Sequence, residues 1–340
     1  MEYISNKLGG FSNGLTPITL GPTSPSKTHS RFPKFHTWTP QRFYPYTISQ
    51  HLIIQPKNKK EQSPMKMKTL IVWAIMTICL FGQYNPDNRV VTISKYEFKE
   101  NPDGNTQDWF EKAEEYYSKM NRLDKNLISF KYLTHRWTGS GKDILQIAEW
   151  KSIADADESQ ANAGAMRRKA WPNDENRSEF LGAYSKYYTG YHEDVMVTEL
   201  MASRVKRHKK SQNENTIVVI MELYLKPMSE VEGGSGAERE ALRDEYFEKV
   251  IMKNDKILSW MELRHYWSGS LGGGDTPIIV VTEYANIADA DNTSINREAI
   301  LNAWPDEEER QAWFAKSNKY NGWGHRDIGL FNNVVKLNKR

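Results

Sequence analysis

The sequence predicts an α+β protein in which one domain occurs twice in tandem, and three observations support this. Short motifs recur in the same order in both halves: residues 134–140 match residues 264–270, residues 153–157 are identical to residues 287–291, and residues 170–172 are identical to residues 303–305. Strand-like and helix-like apolar spacings also follow one another in the same order in each half. Each half is long enough to bury a core of its own. Together these features predict an internal duplication.

The first part of each repeat has the pattern of a strand, a helix and a hairpin. β-Branched and aromatic residues predict opening strands at residues 90–98 and 217–225. Apolar residues at helical spacing predict helices at residues 108–122 and 237–252. Hairpins follow, joined by glycine-containing turns, with strands at residues 127–137 and 144–150 and at residues 257–267 and 278–284.

The second part of each repeat has the pattern of an interrupted helical region and a closing strand. Pro172 and Pro305 lack the backbone donor that a helix interior needs, so a helix breaks or restarts there. Acidic residues follow each proline, where the dipole of a new helix favours negative charge. Closing strands are expected at residues 195–201 and 330–337. The resulting order, β-α-β-β-α-β, is ferredoxin-like.

This duplicated order resembles the dimeric α/β barrel superfamily in its tandem, single-chain form. The resemblance covers residues 88–338 and rests on the element order and the repeated motifs. It implies that two ferredoxin-like sheets pack face to face as an intramolecular dimeric α/β barrel. It also implies a mixed set of activities, because the superfamily includes small monooxygenases, haem-dependent enzymes and stress-induced proteins. The resemblance therefore indicates architecture more than function.

The N-terminal 82 residues differ in character from the repeats. Residues 1–64 are polar and without hydrophobic period, as in a disordered or mis-called extension. Residues 65–82 combine a basic start, an apolar run and a small residue, the pattern of a secretory signal peptide. We therefore expect a start at Met65 or Met67 and a secreted or periplasmic protein without a stable membrane span. The alternative is that residues 70–81 form a buried helix or strand.

Removing this leader changes the charge balance of the chain. The full chain has 46 basic and 43 acidic residues, and residues 1–82 hold 10 and 2 of these, which leaves 36 and 41. An acidic remainder predicts no nucleic-acid partner. The repeats are expected at residues 88–203 and 216–338, with a basic, solvated linker at residues 204–215. The single cysteine, Cys79, lies in the leader, so disulfides and cysteine-ligated zinc are excluded from the exported protein.

Polar residues at matched positions of both repeats are the candidates for a ligand site. They are His135, Trp137, Glu149 and His192 in the first repeat, and His265, Trp267, Glu283 and His325 in the second. In an extended strand the histidine and tryptophan of each hairpin share one face. A histidine beside a tryptophan could serve a planar ligand as a base or as an axial ligand.

A purely structural role is the alternative for the same residues. The histidines could hydrogen-bond the neighbouring turns, and the two glutamates could pair with Arg136, Lys131 or Arg264. No metal site is predicted, because sequence spacing does not bring His135 to His192.

The expected function is therefore binding of a small apolar or aromatic ligand between the two sheets. One alternative is an enzyme, either monooxygenase-like or haem-dependent. In the haem-dependent case, haem is the cofactor. Another is a non-catalytic structural or interaction module. The tandem either replaces a homodimer or pairs again with a second copy.

Overall fold

The computed structural model describes residues 89–208, 213–266 and 276–339. The predicted signal peptide at residues 65–82 and the candidate Trp267 lie outside these ranges. None of the helices within them is both long and apolar enough to cross a membrane. Export and pairing with a second copy stay predictions.

The described elements follow the predicted order in both repeats. The first repeat contains β1 (Arg89–Phe98), α1 (Thr106–Leu123), β2 (Leu127–His135), β3 (Asp143–Trp150), α2 (Ile153–Ala170), α3 (Asp174–Ser185) and β4 (Tyr188–Lys206). The second contains β5 (Thr216–Leu225), α4 (Gly236–Tyr246), a π-helical turn (Phe247–Ile251), β6 (Ile257–His265), β7 (Thr276–Tyr284), α5 (Ile287–Asp291), α6 (Thr293–Ala303), α7 (Glu307–Asn318) and β8 (Asn321–Asn333).

Side-chain caps set the helix starts at matched positions. Asn105 caps α1 and Ser235 caps α4, each by accepting a hydrogen bond from the backbone three residues further on. After the helix-breaking prolines, Asn173 and Asp306 cap α3 and α7 in the same way. The matched caps therefore give the residue correspondence between the helices of the two repeats, because positions can be counted from each cap.

The eight strands form one closed barrel in the order β1-β3-β2-β8-β5-β7-β6-β4. Each repeat contributes four adjacent strands in the ferredoxin-like order, and the two sheets join through β2–β8 and β4–β6 pairing. The registers match as well, because Val91 lies opposite Glu149 and Val218 lies opposite Glu283. The duplication seen in the sequence is thus a structural duplication.

The interior of the barrel is filled by apolar side chains, which corrects the prediction of a ligand between the sheets. All eight strands contribute to this cluster. Its buried members are Val91, Ile93, Leu133, Leu145, Ile147, Leu200, Val218, Ile220, Met261, Leu263, Ile279, Val281 and Phe331. The interior of an eight-stranded barrel is just wide enough for side chains to fill, and here apolar side chains of every strand occupy it.

The helices of each repeat cover the outer face of its own sheet and form two further clusters. The end of the chain crosses from the second repeat to the first. Val334 and Leu337 pack in the first repeat's cluster, and Asn338 accepts a hydrogen bond from the backbone N–H of Tyr132 at 2.8 Å. The two repeats therefore share core side chains as well as strand pairing.

The closing strands differ from the prediction in length. β4 extends to Lys206, into the segment assigned to a solvated linker, because Arg204 is buried among carboxylates. β8 ends at Asn333, and Val335–Leu337 form a 3-10 turn instead of a strand. Exposed polar residues fill the first halves of both strands, so the hydrophobic pattern does not reveal them.

Candidate ligand-binding cavity

Glu149, one of the predicted site residues, is 1% exposed inside the barrel. It accepts hydrogen bonds from Arg89 at 2.7 Å and Ser129 at 2.6 Å, and Arg207 binds both of its oxygens. Burial opposes ionisation, but the hydrogen bonds and charge of Arg207 outweigh it and lower the pKa of Glu149. Arg207 thus ties the segment between the repeats to the first repeat.

Glu283 holds the matched position in the second repeat and is also 1% exposed. Lys131 pairs with it at 2.5 Å, while Thr216, Ser259 and Asn333 donate hydrogen bonds to it. Burial alone would raise the pKa of Glu283, but the charge and hydrogen bond of Lys131 lower it to about 2. This pair joins the first repeat to the second.

The four matched histidines do not come together in one site within the described residues. His135 is half-buried at the end of β2, whereas His265 is exposed at the end of β6. The side chains of His192 and His325 are each 55% exposed on the polar halves of β4 and β8. The structure therefore separates the residues that the sequence grouped as a ligand site.

Trp137 does not share a strand face with His135, which corrects that prediction. The strand ends at His135, and Trp137 has a φ of 88° in the turn that follows. Its side chain is 80% exposed. The positive φ and the high exposure place Trp137 outside the strand and outside the buried part of the sheet.

A cavity of about 300 Å³ lies in the second repeat, between the outer face of the sheet and helices α4 and α7. Its volume is at the lower end of the range of about 300–1,000 Å³ for small-molecule sites. The aromatic residues that line it are Tyr246, Phe247, Trp260, Tyr284, Trp313, Phe314 and Tyr320. Exposed Asn318 and Asn321 mark where it meets the surface.

Aromatic rings packed around Trp313 form one wall of this cavity. The ring of Trp313 lies 4.4 Å from that of Trp304 and is stacked on Tyr246 at 5.9 Å. Its indole nitrogen donates a hydrogen bond to Glu245 at 2.9 Å, which joins α7 to α4. A buried aromatic wall with a satisfied polar edge is rigid and suits a flat ligand.

A charged network forms the opposite wall. Glu262 on β6 is 2% exposed and pairs with Arg243 at 2.6 Å and with Arg204 at 2.8 Å. Burial favours its neutral form, but the charges of Arg243 and Arg204 lower the pKa of Glu262. Because Arg204 comes from β4 of the first repeat, the cavity wall depends on both repeats.

Two lining residues carry buried polar atoms without a hydrogen-bond partner in the described structure. They are the hydroxyl of Thr282, a residue that is 1% exposed, and the Nε of Arg239. Buried polar atoms are nearly always hydrogen-bonded in folded proteins, and leaving one unpaired costs about 1–3 kcal/mol. Both residues line the cavity, so its wall contains hydrogen-bonding groups that the described structure leaves unsatisfied.

The helix beside the cavity has irregular backbone where its partner in the first repeat is regular. Phe247 and Ile251, both lining residues, bound a π-helical turn in which Met252 donates to the carbonyl of Phe247 at 2.8 Å. α1 of the first repeat continues as an α-helix to Leu123. π-Helical turns are rare and are frequent at functional sites.

The equivalent space in the first repeat is filled by tyrosines. Counted from the helix caps and strand registers, Tyr132, Tyr184 and Tyr188 hold the positions of Glu262, Ser317 and Asn321. The hydroxyl of Tyr188 lies 3.1 Å from that of Tyr132 and 2.6 Å from that of Tyr184. Burial raises the pKa of Tyr132 and Tyr184 well above its ordinary value, which keeps both neutral.

Further differences between the repeats concern the polar residues of the cavity. Arg239 and Arg243 lie where the first repeat has Trp109 and Ala113, counted from the helix caps. Thr282, opposite Val219, corresponds to Ala148, opposite Thr92. The two repeats therefore differ in this one space, which is packed with aromatic side chains in the first repeat and is a polar-edged cavity in the second.

Sequence reasoning missed this site because it searched for polar residues shared by the repeats. The signal is present in the residues that differ, above all where Tyr184 and Tyr188 correspond to Ser317 and Asn321. Large side chains replaced by small ones at core positions leave volume unfilled. The difference can be recognised only when the helix caps and strand registers show which residues of the two repeats correspond.

The cavity does not fit the haem alternative. No histidine or cysteine lines it among the described residues, so the usual axial ligands are not at hand. Burial raises the pKa of Tyr246 and Tyr284, which opposes the tyrosinate form that binds iron.

The described strands form two ferredoxin-like sheets closed into one barrel, the tandem dimeric α/β barrel arrangement that the sequence predicts. Similar solved structures include an anthrone oxidase-like protein (10% identity, 72% of this chain and 91% of that chain, TM-score 0.35). A second is a protein from Fusobacterium nucleatum assigned as a monooxygenase (13% identity, 72% of this chain and 91% of that chain, TM-score 0.41). A third is a chlorite dismutase variant from Candidatus Nitrospira defluvii (11% identity, 74% of this chain and 94% of that chain, TM-score 0.39). A scan of protein-family models and a search of curated proteins find no match. The likeness concerns the fold and carries no argument about activity.

Proposed function

We propose that this protein binds a small aromatic ligand in the cavity of its second repeat. The observation that carries the proposal is the contrast between the repeats. Matched positions hold a packed tyrosine cluster in one repeat and a cavity of about 300 Å³ in the other. Unfilled volume in a packed region costs stability, and the tyrosine cluster shows that side chains at the same positions can fill this space.

The lining supports a flat, mostly apolar ligand with a polar group. Indole and phenol rings supply area for stacking, and the Thr282 hydroxyl supplies a hydrogen bond. The monooxygenase alternative rests on fold resemblance alone. The alternative of a non-catalytic structural or interaction module does not account for the cavity in the second repeat.

Titration of the purified chain with two-ring probes tests the proposal. We expect isothermal titration calorimetry to detect binding of 1-naphthoate or of its neutral analogue 1-naphthamide. Quenching of tryptophan fluorescence should accompany it, because Trp260 and Trp313 line the cavity.

Filling the cavity supplies the matched control. Ser317→Tyr introduces the residue that the first repeat has at this position, and we expect affinity for the probes to fall by at least about tenfold. Ser185→Tyr, which adds the same side chain at an exposed position of the first repeat, should leave binding unchanged. Absence of binding by both probes, or equal binding by the Ser317→Tyr variant, would contradict the proposed function.

A further inference from the structure

The charge of the cavity wall indicates what kind of aromatic ligand it takes, an inference that rests on the proposed function. Three charged residues line the cavity, namely Arg239, Arg243 and Glu262. Arg243 and Glu262 neutralise each other, because two of the arginine's nitrogens contact the carboxylate at 2.6 and 3.3 Å. The lining is left with one positive charge, at Arg239.

Arg239 is weakly compensated by its surroundings. Its described ion pair is with the adjacent Glu240, at 3.5 Å between Nε and Oε1, a contact without hydrogen-bond geometry. The other carboxylate oxygen of Glu240, Oε2, accepts a hydrogen bond from Arg204 at 2.9 Å and also pairs with Arg264. Glu240 is thus shared among three guanidinium groups, and the carboxylate charge available to Arg239 is small.

The side chain of Arg239 is nevertheless held in the protein, with 17% of its surface exposed. Burying a guanidinium group costs free energy unless it is paired and hydrogen-bonded. A planar carboxylate meets one edge of a guanidinium with two parallel hydrogen bonds, and Nε takes part in one such edge. The buried Nε, which lies 3.5 Å from Glu240 Oε1 and has no hydrogen-bond partner, belongs to that edge.

The first repeat shows that this charge is not a requirement of the fold. Trp109 holds the position of Arg239 there, and its indole donates a hydrogen bond to Tyr188 at 3.3 Å within the tyrosine cluster. At this position the first repeat thus has an indole and the second repeat has a cation. In the same space, the second repeat also has Ser317 and Asn321 where the first has Tyr184 and Tyr188.

From these observations we infer that the ligand is an aromatic acid with a single negative charge. Its carboxylate pairs with the guanidinium of Arg239, and its rings stack between the aromatic wall of α7 and the sheet. The hydroxyl of Thr282, with one donor and two acceptor positions, bonds a second polar substituent of the ligand.

The comparison of 1-naphthoate with 1-naphthamide tests this inference on the whole protein. The two probes have the same rings and similar shape, and they differ in charge. We expect the wild-type chain to bind the acid roughly tenfold more tightly than the amide, the size of one charge-assisted contact. Arg239→Gln should remove that preference by weakening the acid and leaving the amide nearly unchanged.

Arg168→Gln is the matched control, because it removes an equal charge from an exposed position on α2 of the first repeat. It should keep the preference for the acid. Equal affinity of the wild-type chain for both probes, or an Arg239→Gln variant that keeps the preference, overturns the inference while leaving the cavity as an aromatic site. Failure of both probes to bind overturns the proposed function itself, so the two failures are distinguishable.

Discussion

At the scale of single residues, two buried glutamates explain how charge is tolerated inside an apolar barrel. Glu149 and Glu283 hold matched positions, and each accepts a hydrogen bond from a matched serine, Ser129 or Ser259. Their cationic partners differ, because two arginines pair with Glu149 and one lysine pairs with Glu283. Each carboxylate is paired and hydrogen-bonded, which is the condition for keeping a charge out of water.

Glu283 predicts how stability depends on acid. Its pKa is about 2 in the folded chain against an ordinary value of 4.5, so the folded state holds its proton less tightly than the unfolded state. A depressed pKa contributes stability that is present above pH 4.5 and is lost as the pH falls from there towards 2. We expect a loss of about 3 kcal/mol from this group over that interval.

Urea unfolding of wild type and Glu283→Gln at several pH values measures this contribution. The variant should be less stable at pH 7, where its amide loses the charge interaction with Lys131, and it should lose less stability on acidification. Glu175→Gln, an exposed change on α3, should retain the wild-type pH dependence. Parallel curves for wild type and Glu283→Gln would show that Lys131 does not depress this pKa.

At the scale of elements, the long strand β4 organises the cavity wall of the opposite repeat. Arg204, near its end, is 2% exposed and contacts Asp244, Glu262 and the carboxylate of Glu240. It therefore joins β4 to both α4 and β6. The sequence analysis places the same residue at the start of residues 204–215, the segment predicted to be a basic, solvated linker.

Replacement of Arg204 by methionine should destabilise the protein by about 3–5 kcal/mol, because it leaves a buried carboxylate partly unpaired. Chemical denaturation measures the change, and Arg168→Met on the exposed face of α2 is the control. The double variant Arg204→Met with Glu262→Gln should recover part of the loss, since it removes the unpaired charge. A loss below about 1 kcal/mol would place Arg204 outside the set of structural ion pairs.

The elements themselves were largely predictable from the sequence. Alternating and helical apolar spacing located both hairpins and the helices α1 and α4, because their buried faces have regular periods. The early parts of β4 and β8 were missed, since their residues are mostly exposed and polar. Pairing with β1 and β5 holds them in the sheet, and a hydrophobic pattern does not report pairing.

At the scale of the whole molecule, the repeats are interlocked instead of simply joined. β2 pairs with β8 and β4 pairs with β6, while Lys131 and Arg204 pair with carboxylates of the other repeat. Leu337, at the end of the chain, is fully buried in the first repeat's cluster. Such shared structure favours unfolding of both repeats in one cooperative step.

We therefore expect a single urea transition for the chain, with coincident curves from far-ultraviolet circular dichroism and tryptophan fluorescence. Leu337→Ala should lower the free energy of unfolding by about 2–5 kcal/mol, as is typical of a buried leucine. The midpoint of the whole transition should therefore shift to a lower urea concentration. The slope of the transition should stay unchanged. Two separate transitions, or a Leu337→Ala effect confined to one of them, would show that the repeats unfold independently.

The sequence by itself determined the duplication, the β-α-β-β-α-β order and the acidic character of the repeats, because these depend on local periodicity and composition. It also singled out Glu149 and Glu283 and named Lys131 among their possible partners, although the actual pairs, Arg207 with Glu149 and Lys131 with Glu283, follow only from the closed barrel. Tertiary structure alone decided that the space between the sheets is full and that the cavity lies over the second repeat. The reason is physical: whether side chains fill a space depends on which residues face each other across it, and only the folded chain brings these positions together.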